Sequence, residues 1–111
     1  MKIPSNAIIP VAKLTQYLLV FRTRNDKSKF LAKAGFTLQN YEALEVALRE
    51  LIRTAPASTE RTDNYGTFYQ VTGILQGING IALGVTTIWL HRKIDLQYQF
   101  VTLVPDKAVN Q

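Results

Sequence analysis

The feature that most constrains the fold is a change in the residue pattern at Pro56. Before this proline, apolar residues recur at three- and four-residue steps, which is the spacing of one face of an α-helix. Pro56 cannot continue a helix, and the stretches after it are GTFYQVTGIL, IALGVTTIWLHR and YQFVTLVP, rich in β-branched and aromatic residues. Helices followed by strands predict an α+β fold. The helical stripe consists of Tyr41, Leu44, Leu48, Leu51 and Ile52.

Two shorter helices are expected before the long one. Pro10 suits the first turn of a helix over VAKLTQYLL. Asp26 can cap a second helix over KSKFLAKA, and Gly35 is placed to end it. Asn40 can cap the third helix. The apolar face of the first helix is predicted to hold Val11, Leu14 and Leu18.

The second half of the chain predicts an antiparallel meander. The dipeptide Asn79-Gly80 favours a tight turn between the first two strands, and the polar KIDLQ joins the next two. STERTDNYG either adds a strand or forms an exposed loop. We therefore expect two to three N-terminal helices on one face of a sheet of three or four strands, in a single domain spanning residues 1–111.

Strand alternation divides the predicted sheet into two faces. Our interpretation places the purely aliphatic set beneath the helices, namely Val71, Ile88, Leu90, Val101 and Leu103. The opposite face would then be open and would carry Thr87, Trp89, His91 and Phe100. Alternatively, the C-terminal tail, a fourth strand or a second copy of the chain in a homodimer covers these aromatics.

Composition excludes several classes of site. The 111 residues contain no cysteine and one histidine, so disulfides, thiolate metal sites and a multi-histidine metal site within one chain are excluded, and no cofactor is expected. The sequence has no apolar run long enough to span a membrane and no recognisable signal peptide, which favours the cytoplasm. Nucleotide-binding loops and nucleophile motifs are also missing from the sequence.

Positive charge is concentrated in one segment. The net charge is +5, and RTRNDKSKFLAK alone holds five Lys or Arg residues. Such a segment attracts phosphates, whether in nucleic acid or at a membrane surface, although an ordinary solvated surface is an equally good interpretation. Aromatic side chains on an open sheet beside cations can stack nucleobases. The predicted binding residues are Arg22, Arg24, Lys29, Trp89, Arg92 and Phe100.

The chain resembles a family of bacterial proteins, common in cyanobacteria, that is known only as a domain of unknown function. The resemblance rests on KIPSNAIIP, KLTQYLL, GFTLQNYEALEVALRELI, NYGTFYQV, GINGIAL, TIW and FVTLVP, which together cover nearly the whole length. Relatives are similar to C-terminal domains of bacterial polymorphic toxins of the group typified by barnase, EndoU, colicin nucleases and RelE. In that group helices precede a small antiparallel sheet that carries RNA cleavage. The resemblance implies a small cognate partner protein.

The resemblance also implies roles for individual residues. Lys27 matches the family's lysine, Thr87 and Trp89 match its Thr-x-Trp motif, and Thr102 matches the threonine of its last strand. In metal-free RNA cleavage, Lys27 would stabilise the charged phosphorane, and Thr87 and Thr102 would position phosphate oxygens. Cations that relatives carry beside these threonines are replaced here, and His91, which we include among the catalytic candidates, or Arg92 could compensate.

Two functions follow from these observations. One is a metal-independent ribonuclease-like toxin domain. The other is a non-catalytic interaction module of a toxin–antitoxin-type pair, which binds a protein partner or RNA through the open face and the basic segment. The replaced cations favour the second, and the sequence leaves both open.

Overall fold

The computed structural model describes residues 1–108, in which helices precede strands as predicted. The helical part comprises α1 (Val11–Lys13), a π-helical segment (Leu14–Leu18), α2 (Ser28–Ala32), a 3-10 turn (Leu38–Asn40) and α3 (Tyr41–Thr54). The strands are β1 (Ala57–Asp63), β2 (Gly66–Gln76), β3 (Ala82–Arg92) and β4 (Tyr98–Pro105). The α+β prediction is confirmed, and STERTDNYG contributes most of the additional strand β1.

The strands form an antiparallel meander in the order β1-β2-β3-β4. Gly80 has a φ of 88° in the turn between β2 and β3, as the Asn-Gly dipeptide predicts. Ile8 of the N-terminal segment pairs in parallel with Gln99 of β4. Arg49 of α3 holds this segment in place, because its guanidinium donates to the carbonyls of Ser5 and Ala7 at 3.1 and 3.0 Å.

The helix ends differ in detail from the prediction. Asp26 accepts the backbone N–H of Lys29 in the first turn of α2, although Lys27 is the residue at the helix boundary. Gly35 ends this region with a φ of 89°. The Asn40 side chain does not cap α3, because its oxygen accepts the N–H of Thr37 and its amide donates to the carbonyl of Gly35.

The helices and the N-terminal segment cover one face of the sheet, which we call the core face. Val71, Val85 and Leu103 are fully buried there. Leu51 of α3 lies against Gly73 of β2, where an added Cβ would be only 2.6 Å from the Leu51 Cδ1 atom. The long helix thus approaches the sheet closely at a position without a side chain.

The predicted orientation of β3 is wrong. Thr87 and Trp89 are fully buried on the core face, whereas Ile88 and Leu90 are only half-buried on the opposite, outer face. The reason is a pair of hydrogen bonds. The Trp89 indole N–H donates to the Thr87 hydroxyl at 2.8 Å, and that hydroxyl donates to the carbonyl of Val71 at 3.0 Å. Because the indole N–H and the Thr87 hydroxyl both have hydrogen-bond partners, burial of these polar groups with the large indole ring costs little free energy.

A bulge explains the faces of β4. Trp89 pairs with Phe100 and Ile88 pairs with Thr102, so Val101 is an additional residue that disturbs the alternation. Phe100 is therefore fully buried on the core face, with its ring edge-on to Trp89 at 5.3 Å between centroids. The prediction for Leu103 is confirmed, and the prediction that Val101 lies under the helices is wrong.

The outer face is the side that the helices leave uncovered. Ile74 and Val104 are 42% exposed there, and Thr72 and Thr86 share a hydrogen bond across the strands. Phe68 is shielded by the guanidinium of Arg61, whose carbon lies 4.0 Å from the ring centroid. No helix within residues 1–108 has the length and apolar character needed to cross a membrane.

Candidate functional site

The candidate site begins at the π-helical segment Leu14–Leu18. Leu19 donates its N–H to the carbonyl of Leu14, five residues earlier, which widens the helical turn. Leu14 and Leu18 are fully buried, while Val11 is 50% exposed, so the predicted stripe is only partly correct. Between the two buried leucines, Tyr17 is half-buried with its hydroxyl next to β4. Single-turn π-helical segments often occur at functional sites.

The loop between the π-helical segment and α2 delivers Lys27 to the same place. Asp26 organises this loop, because its carboxylate accepts the N–H of Arg22 at 3.0 Å, the N–H of Lys29 and the hydroxyl of Ser28 at 2.8 Å. Desolvation alone would raise the pKa of Asp26, but these hydrogen bonds together outweigh it, so the pKa lies below its ordinary value. The Asp26 carboxylate therefore forms its hydrogen bonds within the loop, and the ammonium of the neighbouring Lys27 contacts Thr102 of β4 instead.

Three side chains from three parts of the chain meet at the edge of the sheet. The Lys27 ammonium donates to the Tyr17 phenolic oxygen at 2.7 Å and to the Thr102 hydroxyl at 3.1 Å. The hydroxyl groups of Tyr17 and Thr102 are themselves 3.0 Å apart. We call Tyr17, Lys27 and Thr102 the Tyr17 cluster. Thr102 lies three residues beyond Gln99, where Ile8 pairs with the strand edge.

Two further cations lie close to the Tyr17 ring. The Lys13 ammonium is 5.5 Å from the ring centroid and the Arg22 guanidinium carbon is 5.4 Å away, while the Lys27 ammonium is 5.0 Å from it. The ion pairs found within residues 1–108 lie elsewhere, at Arg49, Arg53, Arg61 and Arg92. Three cations thus surround one phenol, and no carboxylate within residues 1–108 forms an ion pair with them, which makes the place attractive to an anion.

The electrostatics act on the phenol itself. Burial alone would raise the pKa of Tyr17. The hydrogen bonds with Lys27 and Thr102, with the positive charges of the two nearby lysines, outweigh that effect. The pKa of Tyr17 therefore lies below its ordinary value, because the cations favour the ionised phenolate over the neutral phenol.

The structure brings together only some of the predicted site residues. Lys27 and Thr102 are in direct contact, and Arg22 lies beside the same ring. Arg24 and Lys29 are exposed on the surface, where the Lys29 ammonium lies 5.1 Å from the centroid of the Phe21 ring. The basic segment therefore contributes Lys27 to the cluster, and it places Arg24 and Lys29 on the exposed surface.

Three predicted site residues are part of the core. Thr87, Trp89 and Phe100 are each 0% exposed, so the prediction of an open face carrying them is wrong. A buried hydroxyl that already accepts from Trp89 and donates to Val71 has no access to a phosphate. The Thr-x-Trp motif is thus a packing motif in this fold.

His91 and Arg92 lie toward the other end of the sheet. The His91 ring stacks on Tyr98 with centroids 4.1 Å apart and planes 4° from parallel. Tyr98 is four residues before Thr102, about 13 Å along the strand. Arg92 donates to Gln99 at 2.8 Å and pairs with Asp95 at 3.3 Å. The contacts of these two residues are thus with Tyr98, Gln99 and Asp95, so compensation by them for the replaced cations stays a prediction. Lys13 and Arg22 are the cations that lie beside the cluster.

The residue that sequence reasoning missed is Tyr17. Within KLTQYLL it appears as one aromatic residue of an amphipathic helix. A usable signal is that it follows Lys13 by four residues, because side chains at that spacing share a helix face. The contact with Thr102 joins residues 85 positions apart, and no local pattern predicts it.

Comparisons with known proteins give the fold a context. The family described as "Domain of unknown function (DUF6883)" matches residues 2–107. None of the curated proteins matches the sequence of the chain. Among solved structures, a chain of the contact-dependent growth inhibition toxin–immunity protein complex from Klebsiella pneumoniae 342 is similar, with a TM-score of 0.69 and 18% identity. The similarity covers 92% of this chain and 95% of that chain, and it shows a shared fold.

Proposed function

The chain belongs to the family described as a domain of unknown function (DUF6883), and we propose that it acts as a small metal-independent ribonuclease domain. The proposed site is the Tyr17 cluster. The domain would be the toxin member of a pair whose other member is a small immunity-type protein. The fold shared with a chain of a toxin–immunity protein complex supports this context.

The observation that carries the proposal is the contact between Lys27 and Thr102 at 3.1 Å. The two residues are 75 positions apart. They are two of the three residues that the family resemblance assigns to the phosphate, and the third, Thr87, is buried in the core. A lysine ammonium stabilises the negative charge of a phosphorane, and a threonine hydroxyl donates to a phosphate oxygen. Their convergence places an ammonium and a hydroxyl donor side by side for one phosphate.

The surroundings of the cluster favour a polyanion as the substrate. Arg22 and Lys13 lie beside the cluster, and the exposed Arg24 and Lys29 extend the positive surface along the loop. The net charge of the chain is +5. Binding through such a surface depends strongly on salt, because each neutralised phosphate releases counterions. RNA is the polyanion whose own 2′-hydroxyl can attack its phosphate, so cleavage requires no external nucleophile.

Non-catalytic binding is the second candidate function. Arg24 and Lys29 favour it, because both are exposed and lie outside the three-residue cluster. The basic segment would then hold RNA or an acidic protein partner without chemistry. Under this alternative, substitution of Lys27 would weaken binding in a graded, salt-dependent way, and no RNA would be cut.

The test is RNA cleavage by the purified domain in the presence of EDTA. Lys27→Met removes the ammonium and retains most of the side-chain length, and it should lower the cleavage rate by about 100- to 1000-fold. Lys93→Ala is the matched control, because Lys93 is an exposed lysine in the turn after β3, at the other end of the sheet. Its rate should equal that of the wild type, and circular dichroism should show that both variants are folded.

Two results would contradict the proposal. If the wild-type domain leaves pools of transfer, ribosomal and messenger RNA intact, the domain is not a ribonuclease. If the two lysine variants cleave equally well, the Tyr17 cluster is not the site. Retention of RNA on the intact protein without cleavage would favour the binding module.

A further inference from the structure

We propose that Tyr17 is the general base of the reaction, and that its phenolic oxygen accepts the proton of the attacking 2′-hydroxyl. The inference rests on the proposed function, and it assigns a catalytic role to a residue outside the set that the sequence predicted. A general base must lie within hydrogen-bond reach of the proton that it removes. In the Tyr17 cluster, the phenolic oxygen of Tyr17 lies next to Lys27 and Thr102, the two proposed donors to the phosphate. It would therefore lie beside a phosphate that those two residues hold.

The phenolic oxygen is built to carry a negative charge. When ionised in the domain without RNA, it accepts one hydrogen bond from the Lys27 ammonium at 2.7 Å and one from the Thr102 hydroxyl at 3.0 Å. Because the Thr102 hydroxyl has a single proton, that proton turns to the phosphate oxygen when RNA binds, and the hydrogen bond from Lys27 remains. A charge-assisted hydrogen bond of this kind is about twice as strong as a neutral one. Lys27 is held by the loop that Asp26 organises, so the oxygen keeps a charged donor when it loses its proton.

The groups facing Tyr17 are almost all cationic. Lys13 comes from its own helical region, Arg22 and Lys27 come from the following loop, and Thr102 comes from β4. The lowered pKa of the phenol agrees with this arrangement. A lowered pKa increases the fraction of phenolate at neutral pH, which is the form that accepts a proton.

The other groups near the cluster are not suited to this role. Lys27, as the charge-stabilising residue, must keep its proton, and the Thr102 hydroxyl is a far weaker base than a phenolate. The carboxylate of Asp26 accepts hydrogen bonds from Arg22, Ser28 and Lys29 within the loop. Tyr17 is therefore the group in the cluster that can gain a proton and return it to solvent.

The proposed step is balanced as follows. The 2′-hydroxyl proton moves to the Tyr17 phenolate while the 2′-oxygen forms a bond to phosphorus. The bond from phosphorus to the 5′-oxygen breaks, the 5′-oxygen leaves with the electron pair, and water supplies its proton. The product is a 2′,3′-cyclic phosphate and a 5′-hydroxyl. Lys27 touches Tyr17, so it lies on the side of the attacking oxygen and stabilises charge on the phosphorane.

The experiment is a pH–rate profile of Tyr17→Phe, which removes the hydroxyl and keeps the ring between its cations. Wild-type cleavage should rise tenfold per pH unit below the pKa of Tyr17 and then level off, because only the phenolate is active. Tyr17→Phe should cleave about 100- to 10,000-fold more slowly and should lose this slope. Tyr65→Phe is the control, since Tyr65 is 72% exposed in the turn before β2, and it should keep both rate and slope.

A binding measurement separates catalysis from positioning. RNA with a single 2′-deoxy substitution at the cleavage site should bind Tyr17→Phe as well as it binds the wild type. If Tyr17→Phe retains the wild-type rate or pH slope while Lys27→Met does not, the role of Tyr17 is refuted and the ribonuclease proposal stands. If the wild type cleaves no RNA at any pH, the ribonuclease proposal fails, and the role of Tyr17 fails with it.

Discussion

Thr87→Val should destabilise the fold far more than its conservative chemistry suggests. The substitution keeps the side-chain shape but removes the hydroxyl that accepts the Trp89 indole N–H at 2.8 Å and donates to Val71 at 3.0 Å. Both Thr87 and Trp89 are 0% exposed, so water cannot replace the lost partner. The unpaired indole N–H costs about 1–3 kcal/mol and the lost hydrogen bond to Val71 about 1 kcal/mol.

The added methyl group offsets part of this cost. Burial of one such group contributes about 0.8 kcal/mol, so the net loss in the free energy of unfolding should be about 1–3 kcal/mol. Urea unfolding followed by circular dichroism measures it. Thr86→Val is the matched control, because Thr86 is the neighbouring threonine on the outer face. Its effect should stay within about 0.5 kcal/mol, as for surface substitutions generally.

A double-mutant cycle identifies the indole N–H as the cause. In a Trp89→Phe background the orphan donor is absent, so Thr87→Val should cost at least about 1 kcal/mol less there than in the wild type. Equal costs for Thr87→Val and Thr86→Val would refute the assignment of Thr87 to the core. Loss of RNA cleavage by a Thr87→Val protein of unchanged stability would instead return Thr87 to the catalytic site.

Two further predictions concern backbone geometry and acid stability. Gly66 and Gly80 both have positive φ, but an added Cβ at Gly66 collides with the carbonyl of His91 while one at Gly80 meets open space. Gly66→Ala should therefore lower the free energy of unfolding by more than Gly80→Ala in urea titrations, and equal losses would contradict the collision. Folding lowers the pKa of Asp26, so the ionised carboxylate stabilises the fold above its ordinary, unfolded-state pKa of about 4. This stabilisation is lost as the pH falls below that value and through the lower pKa of the folded state. Asp26→Asn should reduce the difference in melting temperature between pH 7 and pH 3, and an unchanged difference would refute that role.

The sequence predicted the order and type of the elements well. The spacing of Leu44, Leu48 and Leu51 predicted α3, where these residues are buried. The strands and the Asn79-Gly80 turn appear where β-branched residues and turn chemistry place them. These features depend on local periodicity and local backbone preference, which a single sequence displays directly.

The orientation of the strands could not be deduced in the same way. Ile88 and Leu90 are as apolar as a core requires, and the alternative face combines a hydroxyl with an indole. Side-chain polarity therefore predicts that the face with Ile88 and Leu90 is buried, which is wrong. It does not reveal that the Trp89 indole N–H and the Thr87 hydroxyl form a hydrogen bond with each other. The additional residue Val101 then disturbs the alternation in β4, and Phe100 becomes a core residue.

The candidate site was predicted in part. Lys27 and Thr102 were proposed from the family resemblance, and the structure places them in contact. Tyr17 was missed because it depends on a π-helical turn and on a contact across 85 positions of sequence. Such long-range convergence is a property of the folded chain, and it has no periodic signature.

The chemical identity of the cleaved RNA ends tests the central proposal most directly. We predict that the wild-type domain, in EDTA, produces fragments with a 2′,3′-cyclic phosphate and a 5′-hydroxyl, because the attacking nucleophile is the 2′-hydroxyl of the RNA itself. Mass spectrometry of a short RNA of known sequence distinguishes these ends. Fragments with a 5′-phosphate and a 3′-hydroxyl would contradict the proposed mechanism, and an intact RNA would contradict the proposed function.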